Sequence, residues 1–113
     1  MANSFVNKKA DLTSTSVTTL YTVPDATTAI VKSILVSEDS GNADTITVTI
    51  TDTSDAVFSL FKTKAISANA TTELLTAPLV LQQKEVLKVT AATANRLHVV
   101  LSALESKPRE VIT

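Results

Sequence analysis

The stretch Thr45-Ile46-Thr47-Val48-Thr49-Ile50-Thr51 decides the fold class, because its apolar and polar residues alternate strictly. Successive side chains of a β-strand point to opposite faces, so a period of two predicts a strand. Its apolar residues are expected to face a core, and its threonines to face solvent or a neighbour. Residues 96–104 alternate in the same way, with an apolar face at the odd-numbered positions and a second face that includes His98 and Val100.

Similar segments recur along the chain, separated by short polar breaks. Threonine, a β-branched residue that favours strands, occupies about one position in six. We predict strands at residues 17–23, 28–37, 44–51, 57–64, 71–75, 79–81, 86–91 and 96–104. This spacing is typical of an antiparallel sandwich or barrel. The sequence therefore predicts an all-β fold: a single antiparallel β-sandwich, jelly-roll-like or immunoglobulin-like, of about seven to eight strands.

The two ends of the chain differ from the middle. A length of 113 residues fits one domain, which we place at 11–105, between an N-terminal arm at 1–10 and a C-terminal arm at 106–113. Both arms lack alternation, yet each carries apolar residues beside basic ones. We expect four of these to anchor the arms on neighbouring subunits: Phe5, Val6, Val111 and Ile112. The alternative is that both arms are frayed termini.

Composition excludes most enzyme classes. The single Gly rules out a glycine-rich phosphate loop, and the absence of Cys rules out disulfides, thiolate metal sites and thiol catalysis. One His leaves no site built from several histidines. We therefore expect no enzymatic activity, no catalytic residue, no cofactor and no metal site.

Charge and hydropathy restrict the partners. The net charge is −1 and the basic residues are scattered, whereas a nucleic-acid interface usually carries a basic stripe with aromatics. No apolar run approaches the length of a membrane span. We expect no nucleic acid, no membrane and no small-molecule substrate as partners. Other protein subunits are therefore the expected partners.

His98 and two clusters of acidic residues are the features that could carry catalysis or ligand binding. His98 is a candidate general base or metal ligand, although a surface or interface histidine is the favoured interpretation. Acidic residues cluster in the predicted turns at 38–44 and 52–55, where they are candidates for calcium or glycan binding. Turn carboxylates more often accept hydrogen bonds from their own backbone.

Residues 16–24 and 26–31, read as Ser-Val-Thr-Thr-Leu-Tyr-Thr-Val-Pro and Ala-Thr-Thr-Ala-Ile-Val, resemble small β-rich virion structural proteins of tailed phages. Residues 45–53, 79–89 and 101–105 are similar in kind, so the resemblance covers about 12 to 105. One departure is that Lys84-Glu85 stands where the group has Gly-Asp. The turn there must manage without glycine at a possible positive-φ position.

The resemblance implies a virion component, synthesised in the host cytoplasm, whose partners are other virion structural proteins. A capsid-associated decoration or cement protein is favoured over a tail, neck or baseplate accessory. The rival class is a receptor- or glycan-binding tip module, which places function in the turns at 38–44 and 52–55. By analogy with decoration proteins we expect a homo-oligomer, with a trimer favoured. Charged residues that could protect a strand edge are sparse within the predicted strands, chiefly Lys32, Lys62, Lys64 and Lys88.

Overall fold

A computed structural model describes residues 2–108 of the chain. These residues form nine strands and no helix. The strands are β1 (Ala2–Asp11), β2 (Thr18–Thr22), β3 (Thr28–Glu38), β4 (Asp44–Thr51), β5 (Val57–Ile66), β6 (Thr71–Glu73), β7 (Leu79–Leu81), β8 (Val86–Ala91) and β9 (Leu97–Lys107). The predicted all-β class is confirmed.

The strands form two antiparallel sheets packed as a sandwich. Sheet A has the order β1-β9-β3, with both β6 and β7 pairing to the far side of β3, and sheet B has the order β2-β8-β4-β5. The first strand therefore pairs with the last, the second with the next to last, and so on inward to β4 and β5. This is the strand order of a jelly roll, a long hairpin wrapped into two sheets, and it differs from the immunoglobulin order.

The core lies between the sheets and is built from the alternating residues. Ile46 and Val48 of β4 are fully buried, as are Leu97, Val99 and Leu101 of β9. The threonines of β4 lie half-buried on the opposite face. The prediction from both alternating stretches is thus confirmed, because one face of each strand packs against the other sheet.

All eight predicted strands are present, but the N-terminal segment requires a correction. Residues 2–10, expected to be an arm outside the strands, belong to β1 and pair with β9 from Ala2↔Lys107 to Asp11↔His98. Among residues 3–11 of this edge strand, Val6 and Ala10 are the apolar residues that pack against the core, so the sequence lacks the usual alternation. At the other end, β9 runs to Lys107, and residues 109–113 lie outside the described residues.

A bulge in β3 explains why two short strands follow one another along its edge. Lys32 is an extra residue between the pairs Val31↔Ala103 and Ser33↔Ser102. The Glu73 carboxylate accepts hydrogen bonds from the Ser33 hydroxyl and from the Ile34 amide, the latter at 2.8 Å. Burial alone would raise the pKa of Glu73, but these hydrogen bonds outweigh it and lower that pKa. The carboxylate thereby fills the gap between β6 and β7.

The turn before β8 has the conformation anticipated from its missing glycine. Lys84 has φ of 67°, in the left-handed region that favours glycine. Its amide donates to the carbonyl of Val23 at 2.9 Å, and the Glu85 amide donates to the carbonyl of Gln82 at 3.2 Å. The turn thus forms with its hydrogen bonds intact, although the Cβ of Lys84 makes the left-handed conformation sterically unfavourable.

Candidate interaction surface

The described members of the predicted anchor set lie next to each other in β1 but on opposite faces. The Phe5 side chain points outward and is 81% exposed. Val6 points inward and packs against the core. Val111 and Ile112 lie outside the described residues, so their anchoring role stays a prediction. Phe5 is therefore the member of the set that the structure leaves available for a partner.

Phe5 belongs to a row of apolar side chains that crosses the whole of sheet A. It lies opposite Leu104 of β9, which lies opposite Ile30 of β3, which in turn lies opposite Val80 of β7. Directly opposed residues project from the same face of a sheet, so all four point away from the core. Val80 is 52% exposed, and Leu104 and Ile30 are half-buried. We call Phe5, Leu104, Ile30 and Val80 the apolar row.

A second apolar pair lies farther along the same outer face of sheet A. Val100 of β9 is opposite Leu35 of β3, which is 38% exposed. Lys9 of β1 flanks this pair on one side and Glu73 of β6 on the other. The sequence places Val100 on the second face of its strand, but the residues opposite it that complete the face were not identified from sequence. Their signal was the occurrence of consecutive apolar residues within a strand, which predicts that both faces are apolar.

The edges of the two sheets are protected against pairing with another strand. Lys8 and Lys9 lie on the edge strand β1, and Lys62 and Lys64 lie on the edge strand β5. Strands β6 and β7 are three residues long, and β2 has an irregularity at Leu20. Charged residues, short strands and bulges all discourage edge-to-edge association. The expectation of sparsely guarded edges is corrected, and faces rather than edges are the available surfaces.

Glu38, the first acidic residue of the cluster at 38–44, is held by hydrogen bonds from nearby loops. Glu38 is 2% exposed, and its carboxylate accepts hydrogen bonds from the Ser40 hydroxyl and from the amides of Ser40, Gly41 and Asn69 at 2.8, 3.1 and 3.1 Å. Burial would raise the pKa of Glu38, but these donors lower it to about 2. The nest of donors joins the β3–β4 loop to the turn after β5.

Two further carboxylates of the predicted turns, those of Asp52 and Asp44, also accept hydrogen bonds from backbone amides. Asp52 Oδ1 accepts hydrogen bonds from the amides of Ser54 and Ala56 at 2.8 and 2.9 Å. Asp44 Oδ2 accepts one from the amide of Thr93 at 3.1 Å. Within residues 2–108, no group of three or more His, Asp or Glu side chains is arranged to hold a metal ion.

His98 lies on the outer face of sheet A, at its far end from the apolar row. Its Nε2 is 3.2 Å from Asp11 Oδ1, and its Nδ1 is 3.5 Å from Asp39 Oδ2. The imidazole thus bridges β1 and the β3–β4 loop, with both carboxylates exposed. This half-buried surface position matches the favoured interpretation of His98.

A groove of about 480 Å³ lies at the open side of the sandwich, between β5 and the connection from β6 to β7. Its apolar wall includes Leu60, Phe61 and Leu79. The polar side chains beside it are chiefly those of Lys64 and Glu73, and Glu73 is already engaged by β3. The groove therefore lacks the convergent polar groups that orient a small ligand.

Comparison with known proteins gives no assignment. No protein-family model matches the chain, and no curated protein matches it. Among the described residues, no helix is long and apolar enough to cross a membrane. Among the exposed large apolar side chains of the described residues, Phe5, Leu35 and Val80 lie on the outer face of sheet A, and Val57 and Phe58 lie on β5.

Proposed function

We propose that this chain is a non-enzymatic structural protein of a tailed-phage virion that adheres to neighbouring particle subunits. Within that class we favour a capsid-associated decoration or cement protein over a tail, neck or baseplate accessory. The resemblance over about residues 12 to 105 supports the class. In this proposal the protein is synthesised in the host cytoplasm and acts in the virion, without catalysis or cofactor.

The apolar row is the observation that carries the adhesive role. Scattered exposed apolar residues are ordinary, but aligned apolar side chains on four neighbouring strands form a continuous surface, which is typical of an interaction site. Burying one large apolar side chain contributes roughly 1.5–3 kcal/mol, whereas association loses roughly 4–15 kcal/mol of translational and rotational freedom. A stable contact must therefore cover most of the row together with the Val100–Leu35 pair.

The fold is compatible with this role without deciding it. Jelly rolls recur in viral capsid and lectin domains, which is a likeness of fold and not of function. The same likeness suits the tip-module alternative. That alternative requires accessible polar groups in the turns. The carboxylates of Asp39 and Asp55 are exposed there, whereas those of Glu38, Asp44 and Asp52 accept hydrogen bonds from backbone amides. The engagement of these three carboxylates favours the face over the turns.

Homo-oligomer formation, with a trimer favoured by analogy, remains part of the proposal. Because the edge strands carry lysines, bulges or only three residues, copies would associate through faces rather than by extending a sheet. Mass measurement of the purified chain in dilute solution tests this part. A monomer there, together with a monomeric arrangement on particles, would refute it.

The experiment that tests the function is fractionation of the phage particles that carry this chain. After osmotic shock, heads and tails are separated and the chain is quantified against the major shell subunit by mass spectrometry. We expect a fixed ratio to the shell subunit in the head fraction. A fixed ratio to tail-tube subunits would assign the tail or baseplate alternative, and absence from purified particles would exclude a virion role.

A further inference from the structure

Two lysines stand on the outer face of sheet A with no carboxylate of the described residues within ion-pair distance. Lys9 flanks the Val100–Leu35 pair, and Lys32 projects from the bulge of β3. Lys32 is exposed and lines, with Phe5 and Ser102, a hollow of about 340 Å³ on this face. Within residues 2–108, neither lysine forms an ion pair.

The carboxylates of the same face are occupied elsewhere. Glu73 accepts hydrogen bonds from Ser33 and Ile34, and Asp11 lies against His98 at the far end of the face. Neither carboxylate lies within ion-pair distance of Lys32. Neither ammonium group has an ion-pair partner in the described part of the chain, so water solvates both on the uncovered face.

Contact through this face would remove that water. A buried ammonium group without a partner is strongly unfavourable, so a surface that covers the apolar row must supply carboxylates. We infer that the outer face of sheet A docks on a folded protein surface in which an apolar strip is flanked by carboxylates facing Lys32 and Lys9. This inference rests on the proposed function and names the chemistry of the subunit that receives the chain.

Two other occupants fit the face less well. A second copy packed face to face brings carboxylates that already have partners within their own chain, since Glu73 accepts hydrogen bonds from Ser33 and Ile34 and Asp11 lies against His98. A lipid surface or nucleic acid is uniformly anionic, whereas this face carries Glu73, Asp11 and Asp39 beside its two lysines. A mixed pattern of charges fits a folded protein with its own mixed pattern.

Carbodiimide cross-linking of intact particles tests the inference directly, because this reagent couples a lysine amine only to a carboxylate in contact with it. We expect Lys9 and Lys32 to be joined to Asp or Glu of a different virion protein. Lys62 and Lys64 on β5, and Lys88 on sheet B, serve as internal controls and should give few such links.

The number of copies bound per particle is then measured for variants supplied in trans during particle assembly. Lys32→Glu should reduce the copies bound per particle by about tenfold or more, since like charges then oppose each other. Lys32→Gln should reduce them less, and Lys88→Glu should leave binding near that of the unsubstituted chain. Unchanged thermal melting of each purified variant confirms that it folds.

The outcomes separate the two proposals. If the chain is absent from particles, the proposed function fails. If it is present but its cross-links arise from Lys62, Lys64 or Lys88, or join Lys32 to another copy, the function stands and the inference is overturned. Binding of Lys32→Glu at the level of Lys88→Glu would overturn it as well.

Discussion

The Oη of Tyr21 lies 2.5 Å from Oε2 of Glu105, and both side chains are buried. Tyr21 belongs to β2 of sheet B and Glu105 to β9 of sheet A, so this hydrogen bond joins the two sheets across the core. Burial, the hydrogen bond to Glu105 and the charge of that carboxylate together raise the pKa of Tyr21. The phenol is therefore held in its protonated, donating form.

Replacing Tyr21 by Phe removes the donor and leaves a buried carboxylate without it. We expect a loss of roughly 1–3 kcal/mol in the free energy of unfolding, measured by urea denaturation at neutral pH. The loss should be smaller in a Glu105→Gln background, because the acceptor is then uncharged. Thr22→Ala, at the exposed neighbouring position, is the control. Equal losses in both backgrounds would show that the pair is not coupled.

The hydrogen bond between Tyr21 and Glu105 also predicts how stability changes at alkaline pH. A raised pKa in the folded state means that the stabilisation is complete below the ordinary Tyr pKa of 10.0 and is lost as the pH rises above it. Tyr21 is the single tyrosine of the chain, so phenolate absorbance reports on it alone. We expect phenolate to form together with unfolding. Ionisation of Tyr21 well before unfolding would contradict this prediction.

Glu38 predicts behaviour at low pH. Its pKa of about 2 lies below the ordinary 4.5, so its contribution to stability is present above 4.5 and is lost as the pH falls toward 2. Glu38→Gln should lower the melting temperature at neutral pH, and the difference from the unsubstituted chain should shrink across that range. Asp39→Asn, in the same loop but without the nest of amides, should show a much smaller effect. A difference that is constant with pH would argue against an ionised Glu38.

The turn at Lys84 predicts a stabilising substitution. A non-glycine residue in the left-handed region costs roughly 1–2 kcal/mol, and glycine removes that cost while losing some stability through unfolded-chain entropy. We expect Lys84→Gly to raise the free energy of unfolding by about 0.5 kcal/mol or more. Lys84→Ala is the matched control, since it also removes the exposed 3.8 Å ion pair with Asp25 but keeps a Cβ. A gain with Ala equal to that with Gly would refute the conformational explanation.

Two changes in β1 should have different effects, one on folding and one on attachment to particles. Deleting residues 2–10 removes the pairing with β9 and the core contacts of Val6 and Ala10, so we expect a loss of at least about 2 kcal/mol in stability. Phe5→Ser should change stability by less than about 0.5 kcal/mol but reduce the copies bound per particle. Normal attachment of Phe5→Ser would remove the apolar row from the proposed contact.

Several features of this molecule follow from the sequence alone. The alternation at residues 45–51 and 96–104 places β4 and β9 and names their buried residues, because the pleat of a strand fixes which side chains share a face. Polar breaks fix where strands end. The positive-φ turn at Lys84 is expected from the resemblance, in which Gly-Asp stands at the place of Lys84-Glu85. These are local properties, decided by residues close together in the chain.

What only the tertiary structure decided is the pairing of residues far apart in sequence. Edge strand β1 needs little core contact, so its sequence shows no period, and its strand character comes from the hydrogen bonds that β9 offers. The apolar row exists because the register sets Phe5 opposite Leu104 and Ile30 opposite both Leu104 and Val80. The choice of the jelly-roll order over the immunoglobulin order, and the gap in β3 that Glu73 fills, depend on the same long-range register. Alternation tells which residues share a face, but only the packed sheets decide which faces remain uncovered.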